Sequence, residues 1–324
     1  MASTNLHPPA HLPPAIALQL SQQAPTILQN APSSISSYSL HSLFAAPESA
    51  DLWITYENLI LSCLRTGDEQ SARLCLERLM SRFGSANERL RALQGLFQEA
   101  TAENDTALQR VLDEYDKVLT EDAGNMPVSK RRIALLKSMG KSVEAIQSLN
   151  RLLDICPTDA EAWSELAELY IAQGMYQQGI FALEEVLLIT PYAWNIHARL
   201  GEVLYSAAAA NDGNGEKQLS DSLRRFCRSI ELCDDYLRGY YGLKLTSQRI
   251  LALPTRASRQ TKDDGALSSL DSNTLQSLNL KATSKLAEIV RRSVAGESGW
   301  QGYDAAELIA ARALLDKDTT STIR

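Results

Sequence analysis

The chain has 324 residues, of which 44% are hydrophobic and 6% are aromatic, and its formal net charge is −7. The hydrophobic content is ordinary for a folded chain, while the acidic balance argues against a nucleic-acid partner held by a global basic field. No stretch approaches the roughly 18 uninterrupted apolar residues of a membrane-spanning helix, so we expect no direct membrane span.

The N-terminal part, residues 1–49, is rich in Pro, Ser, Ala and Gln and contains almost no charge. Because it has no basic region and is broken by prolines, it is a poor secretory signal. The five cysteines of the chain show no paired spacing, so without such a signal we expect them to be reduced. The composition predicts a low-complexity, mobile tail, and the alternative is a short amphipathic helix over Ile35–Phe44.

Residues 50–253 carry a helical repeat that is clearest at 160–193. There, two predicted helices flank Gly174 with the spacing typical of a tetratricopeptide (TPR) unit of about 34 residues. A large aromatic residue would fill the groove between neighbouring hairpins, small residues would let the two helices approach, and a proline would end the second helix. The residues assigned to these structural positions are Trp163, Leu166, Ala167, Tyr170, Gly179, Leu183 and Pro191.

The same pattern recurs in register on both sides of this unit. The predicted units lie near 53–86, 87–125, 126–159, 160–193, 194–236 and from 237 to 253 onward. A linker is expected at 254–272, C-terminal helices at 273–317 and a frayed tail at 318–324. The sequence therefore predicts an all-α chain, a TPR superhelical solenoid of about five to six helical hairpins with extra C-terminal helices.

Charged positions on the first helices of the repeats are the candidate partner-binding residues. A TPR array curves with its first helices on the inner side, so exposed positions there should line a groove. The groove would change sign along its length, basic and then acidic, and the alternative is a solvated face of mixed charge. The residues predicted to bind partners are Lys130, Arg131, Glu165, Glu168 and Arg199.

Motifs for catalysis are missing from the sequence. It contains no phosphate-binding loop, no dinucleotide fingerprint, no zinc-protease motif and no serine-hydrolase motif. Three of the four histidines lie in the N-terminal part, and His197 occupies the aromatic position of a repeat, which favours a packing role. Helix surfaces account for the many carboxylates. We therefore expect no enzyme, no cofactor and no metal site.

Several stretches go beyond the generic TPR pattern, namely DLWITYENLI, GDEQSARLCLERL, KRRIALLKSMGKSVEAIQSLNRLL, DAEAWSELAELYIAQGMYQQGIFALEEVLLITP and RGYYGLKL. Together they resemble subunit 2 of the endoplasmic reticulum (ER) membrane protein complex, in a fungal version. The resemblance spans about residues 51–253, and KRRIALLKSMGK and DLWITYE make it specific. The N-terminus departs from it, because that family usually has charged helical sequence there.

This resemblance implies a non-catalytic scaffold subunit, peripheral on the cytosolic face of the ER membrane. The complex of that family inserts transmembrane segments, including tail anchors, into the ER membrane. The implied partners are the other subunits of the complex: membrane-embedded subunits through their cytosolic parts, and a soluble cytosolic subunit. Neither a nucleic acid nor a direct membrane span is implied.

The alternative function is a chaperone-docking TPR adaptor that grips the C-terminal carboxylate of a heat-shock chaperone. That mode needs Lys and Asn on one first helix, Asn on the next, and Lys and Arg on the third. The corresponding residues here are Lys130, Ala134, Glu165, Asn195 and Arg199. The glutamate would repel the carboxylate to be bound. A third class, an RNA-processing scaffold, lacks both a basic stripe and an aromatic platform.

Overall fold

The structure is a computed structural model that describes residues 13–29, 49–210, 215–253, 271–300 and 302–322. Every helix or strand assigned in this part of the chain is an α-helix, so the all-α prediction is confirmed. The helices are α1 Pro14–Gln22, α2 Ala24–Gln29, α3 Ala50–Thr66, α4 Glu69–Phe83, α5 Glu88–Ala100, α6 Asp105–Glu121, α7 Met126–Ser138, α8 Ser142–Ile155, α9 Ala160–Ala172, α10 Tyr176–Ile189, α11 Trp194–Ala207, α12 Gly215–Leu232, α13 Leu237–Leu251, α14 Ser272–Val294 and α15 Ala305–Thr322.

The chain forms two compact units, Met1–Ile155 and Cys156–Arg324. In the first unit, α3 packs on α4, α5 on α6, and α7 on α8, and contacts between α4 and α5 and between α5 and α7 join successive pairs. Side-chain caps start several of these helices: Asn87, Asn104 and Asn125 accept hydrogen bonds from backbone N–H groups of the first turn. Tyr56, Ile60 and the residues around them form the core between α3 and α4.

The N-terminal prediction needs a correction over residues 14–29, which form two helices rather than a mobile tail. Ala17, Leu20, Ala24 and Leu28 recur every three or four residues and are buried, with α1 against α3 and α2 against α4. Thr66 Oγ1 donates a hydrogen bond to Ser21 Oγ at 2.8 Å. Flanking prolines and the lack of charge hid this short periodicity. Residues 1–12 and 30–48, including the proposed helix Ile35–Phe44, lie outside the described residues.

The second unit contains the hairpins α9–α10 and α11–α12, followed by α13, α14 and α15. The turn before α10 has Gly174 with φ 74°, a left-handed conformation that favours glycine. The pair α13–α14 is joined by residues 254–270, where the linker was predicted and which lie outside the described residues. α15 continues to Thr322, past the predicted end at 317.

The contact between α13 and α14 includes a buried lysine. Lys244 is fully buried on α13, and its Nζ donates to Thr283 Oγ1 on α14 at 2.6 Å. Asn279 Nδ2 donates to the Lys244 carbonyl at 3.3 Å and to Ser247 Oγ at 2.9 Å. A polar network therefore pairs these two helices within a largely apolar core.

A candidate partner-binding surface on the first helices

Arginine and glutamate side chains join the first helices of successive repeats. Each pair links residues 31 to 36 positions apart, which is about one repeat. We call these pairs the Arg–Glu ladder. Its members are Glu57–Arg89 and Glu99–Arg131 in the first unit, and Glu168–Arg199 and Glu202–Arg238 in the second. The ladder ties each hairpin to the next within its unit by charge-assisted hydrogen bonds.

The most buried pair of the ladder is Glu99–Arg131, in the first unit. The Glu99 carboxylate accepts hydrogen bonds from Arg131 Nε at 2.8 Å, from Arg131 Nη2, and from the hydroxyl of Tyr115 at 2.5 Å. Burial, and then the Glu99 carboxylate, raise the pKa of Tyr115, so the phenol stays protonated as a donor. Gly95 leaves room for this ring, because a Cβ at Gly95 would lie 2.1 Å from the Tyr115 hydroxyl.

In the second unit the ladder becomes a continuous chain of charges. Arg199 lies between Glu168 and Glu202, with Nη1 donating to Glu202 Oε2 at 3.0 Å. Arg238 extends this chain of charges, because its Nε donates to Glu202 Oε1 at 3.0 Å and lies 3.8 Å from Glu307 Oε1. The hydrogen bonds that Arg199 donates to Glu168 raise the pKa of Arg199 above its usual value. These side chains neutralise one another along α9, α11, α13 and α15.

The five predicted partner-binding residues therefore divide into two groups. Arg131, Glu168 and Arg199 are members of the ladder and are bonded to side chains of this chain. Lys130 and Glu165 lie on α7 and α9, and both are half-buried. Sequence reasoning placed these residues on the first helices but did not predict the pairing, because the paired residues lie about one repeat apart. Binding of a partner by these five residues stays a prediction.

An apolar cavity of about 550 Å³ opens beside the ladder in the second unit. Helices α11, α13 and α15 surround it. Tyr205, Leu237, Tyr241 and Leu245 supply most of its apolar wall. Its polar residues include members of the ladder, Glu202 and Arg238, together with Glu307 and Ser206. An apolar hollow with a few fixed polar groups is the usual form of a binding site for a side chain of another molecule.

Two glycines make room for Phe226, whose buried ring lines this cavity. A Cβ at Gly242 would lie 2.1 Å from ring carbons of Phe226, and one at Gly201 would lie 2.9 Å away. Arg249 closes the end of α11, since its guanidinium donates to the carbonyls of Tyr205 and Ala208, both at 3.3 Å. The sequence signal for this site was the pair of glycines on successive first helices, and sequence reasoning missed the cavity.

The predicted structural TPR positions differ in burial. Leu166, Ala167, Gly179 and Leu183 are buried, and a Cβ at Gly179 would lie 2.7 Å from Ile171 Cγ1. The aromatic and proline positions Trp163, Tyr170 and Pro191 are half-buried or exposed.

Trp163 has a specific local environment. Its Nε1 donates to the Pro157 carbonyl at 2.8 Å, and its ring meets the exposed ring of Phe181 edge-on with centroids 6.0 Å apart. Because Trp163 is only half-buried, it contributes less to the stability of the fold than a fully buried tryptophan would.

Features of a metal site or a membrane span are absent from the residues that the structure describes. Among them, no three His, Cys, Asp or Glu side chains lie together so that they could hold a metal ion. Of the helices within the same ranges, none combines the length and apolar character that crossing a bilayer requires.

Comparisons with known proteins place these repeats in a family. Residues 73–211 match the family model described as the EMC2 TPR-like repeat domain. ER membrane protein complex subunit 2 of Xenopus tropicalis is 34% identical over 214 residues, which cover 66% of this chain and 68% of that protein. The chain belongs to the family of ER membrane protein complex subunit 2. The TPR part of the fold prediction is thereby confirmed, as is the family resemblance.

Other proteins compare as follows. TPR repeat protein oca3 of Schizosaccharomyces pombe is 36% identical over 203 residues, covering 63% of this chain and 69% of that protein. A solved structure, the C-terminal part of a TPR repeat-containing protein from Cytophaga hutchinsonii, is 13% identical with a TM-score of 0.49. It covers 84% of this chain and 94% of that chain.

Proposed function

We propose that this chain is a non-catalytic scaffold subunit of the ER membrane protein complex, peripheral on the cytosolic face of the ER membrane. The observation that carries the proposal is the 34% identity to a protein named as subunit 2 of that complex, over 66% of this chain. The aligned length is large enough to include most of the repeats. In this role the protein holds other subunits, and the complex inserts transmembrane segments, including tail anchors, into the membrane.

The Arg–Glu ladder supports a scaffold role because it fixes the first helices of each unit before a partner arrives. A preorganised surface loses less conformational entropy on binding than a mobile one. The ladder also neutralises charges that would otherwise have to be desolvated singly in an interface. The surface is therefore built to be rigid, with little net charge along the ladder itself.

The apolar cavity between α11, α13 and α15 supports partner binding through a buried anchor. Its volume of about 550 Å³ is of the size that accepts a large side chain, or a short turn of a partner's helix. Interfaces concentrate their binding energy in such pockets, within a polar rim. Here Glu202, Arg238 and Glu307 supply the rim. The proposed partners are the cytosolic parts of membrane-embedded subunits and a soluble cytosolic subunit.

The chaperone-docking alternative receives less support from this geometry. A carboxylate clamp needs cationic side chains that are available to a ligand. Arg199, the cation expected to serve the clamp, already donates to both Glu168 and Glu202. A chaperone carboxylate would have to displace these two glutamates or bind close to them, which costs affinity.

The experiment is a pull-down of the tagged full chain from detergent-solubilised membranes, read by mass spectrometry. We expect a stoichiometric set of multi-spanning ER proteins, and we expect the tagged chain to leave the membranes on a carbonate wash without detergent. Recovery of cytosolic heat-shock chaperones alone would instead establish the docking alternative. Recovery of neither group would overturn both.

A pair of variants tests the cavity in the same assay. Ala310→Trp places a large ring at the cavity from an exposed position on α15. Ala313→Trp is the matched control, because Ala313 is also exposed on α15 but does not line the cavity. We expect the first variant to lose partner subunits and the second to retain them. Equal recovery with both would show that the cavity takes no part in assembly.

A further inference from the structure

A second cavity of about 550 Å³ lies on the opposite helices of the hairpins in the second unit, between α10 and α12. Its lining is unlike that of the first cavity because basic side chains dominate it. We call it the basic groove. The residues that matter for its chemistry are Ile180, Leu204, Lys217, Arg224, Arg225 and Arg228.

The basic groove is a local excess of positive charge in an acidic chain. Four cations line it, against the two carboxylates of Glu184 and Asp221. Arg225 is 3.2 Å from Glu184, Arg224 is 3.3 Å from Asp221, and Arg228 is 3.1 Å from Glu231, which lies outside the groove lining. Lys217 makes no ion pair with any residue that the structure describes. The chain as a whole has a net charge of −7, so this surface departs from the general balance and favours an anionic ligand.

A buried amide in the same groove indicates that the ligand also brings hydrogen-bond donors. Gln218 lines the groove and is only 7% exposed, yet its Oε1 has no hydrogen-bond partner among the described residues. A buried acceptor without a donor costs free energy. A phosphate or carboxylate ion alone has no N–H group to offer, whereas a peptide backbone has one at nearly every residue.

Part of the remaining wall of the groove is apolar. Ile180 and Leu204 lie between the helices at the groove, and Leu204 is buried. A ligand that fits therefore carries carboxylates, backbone N–H groups and at least one apolar side chain. A bilayer surface fits less well, because it would meet the rim of a concave groove and leave the Gln218 amide unsatisfied.

We propose that the basic groove between α10 and α12 holds an acidic peptide segment of a partner protein. Besides its carboxylates, this segment carries at least one apolar side chain. The inference rests on the proposed scaffold function only for the source of the segment, which would be another subunit. The recognition itself is a property of the groove.

The test measures binding of a fluorescein-labelled peptide, rich in Glu with interspersed Leu, to the purified full chain by fluorescence anisotropy. A peptide with Gln in place of every Glu is the ligand control. We expect the Glu peptide to bind at least about tenfold more tightly than the Gln peptide, with affinity falling as salt rises. Equal binding of the two peptides would overturn the proposal.

Charge-reversal variants locate the site. Arg224→Glu with Arg228→Glu changes two guanidiniums that are largely exposed, so the fold should tolerate the changes. Arg291→Glu with Arg312→Glu alters the net charge equally at exposed positions outside the groove. We expect the groove variant to lose at least about tenfold in peptide affinity while the control variant loses little. Equal losses would indicate a global charge effect and overturn the assignment.

Two further measurements separate the alternatives. Gln218→Leu removes the unpartnered acceptor, and we expect it to weaken binding of the Glu peptide; unchanged affinity would contradict the peptide geometry. If vesicles of anionic phospholipid bind the wild type but not the groove variant, and the Glu peptide does not bind, then the ligand of the groove is a membrane surface. That result would overturn the peptide proposal. Peptide binding that persists when the pull-down yields no ER proteins would retain the groove and reject only the scaffold function.

Discussion

Arg199 on α11 holds Glu168 on α9 through two parallel hydrogen bonds, from Nε to Oε1 at 2.7 Å and from Nη2 to Oε2 at 2.6 Å. The sequence predicts that both residues bind partners. Their mutual pairing means that a substitution at either one changes the scaffold as well as any interface. An assay of partner binding with such a variant must therefore measure the stability of the fold too.

The first prediction compares how much two Arg–Glu pairs of the ladder contribute to the stability of the fold. Arg131→Met leaves the Glu99 carboxylate, whose side chain is 9% exposed, without its main partner. We expect the free energy of unfolding to fall by roughly 2 kcal/mol, since a buried charge loses its compensation. Arg199→Met leaves Glu168, whose side chain is 51% exposed, while Glu202 keeps its second partner Arg238. It should cost less than about 1 kcal/mol, because water replaces the lost arginine. Urea denaturation measures both, and equal costs would contradict the burial argument.

The second prediction concerns the glycine beneath Phe226. Alanine at Gly242 would normally stabilise a helix, by about 1 kcal/mol over glycine. Here its Cβ would lie 2.1 Å from the Phe226 ring, so we expect Gly242→Ala to destabilise the protein by at least roughly 1–3 kcal/mol. Urea denaturation followed by circular dichroism measures the change.

Two variants control this experiment. Gly124→Ala meets no heavy atom closer than 3.4 Å and should have little effect. The double variant Phe226→Leu with Gly242→Ala should lose less free energy of unfolding than the two single variants together, because the smaller side chain relieves the contact. Strict additivity would show that the ring is not what opposes the new methyl group.

The sequence could predict the residues whose burial follows from their own helix. Leu166, Ala167, Gly179 and Leu183 recur with the helical period, and each is buried. Trp163 obeys the same period but stays half-exposed. Its surroundings depend on Phe181, on the next helix, which the period does not place.

Features between repeats were beyond sequence reasoning for a physical reason. The Glu99–Arg131 pair and the cavity around Phe226 depend on how successive hairpins are set against each other. A helical period fixes which side of a helix is apolar, but it does not fix the distance or the angle between two helices. The packing of α1 and α2 on the first hairpin was missed for a different reason, because flanking prolines and the lack of charge hid their short periodicity.

The third prediction is a pH dependence caused by His197. Burial lowers the pKa of this imidazole below its ordinary value of 6.5, and Arg225 and Arg228 act in the same direction. The Pro191 carbonyl opposes the shift, with Nε2 3.1 Å from its oxygen, and Nδ1 is buried with no hydrogen-bond partner in the described part of the chain. The unfolded chain therefore binds a proton more readily than the folded chain. Stability should be complete above pH about 6.5 and should decline as the pH falls toward the lower folded pKa.

The pH prediction is checked by urea midpoints on both sides of this window. His197→Gln should remove the part of the decline that comes from this residue. The other three histidines, at positions 7, 11 and 41, remain in the variant and serve as the internal control. A variant with the same pH slope as the wild type would assign the decline to those histidines or to carboxylates.

The last prediction concerns thiol reactivity. Cys63 and Cys75 are fully buried between α3 and α4, and burial raises the pKa of Cys63 to about 11 and that of Cys75 to about 12. Because the thiolate is the reactive form, neither should react with a disulfide reagent in the native state at mildly alkaline pH. Cys156 and Cys233 are partly exposed and should react first.

Mass spectrometry of time-resolved labelling distinguishes these sites. We expect Cys63 and Cys75 to be modified together, and only as the first unit opens in denaturant, because they lie in one core. Ile60→Ala removes a fully buried side chain from that core, and it should accelerate labelling of both thiols while leaving the rate at Cys233 unchanged. Rapid labelling of Cys75 in the wild type under native conditions would show that the α3–α4 core opens without global unfolding.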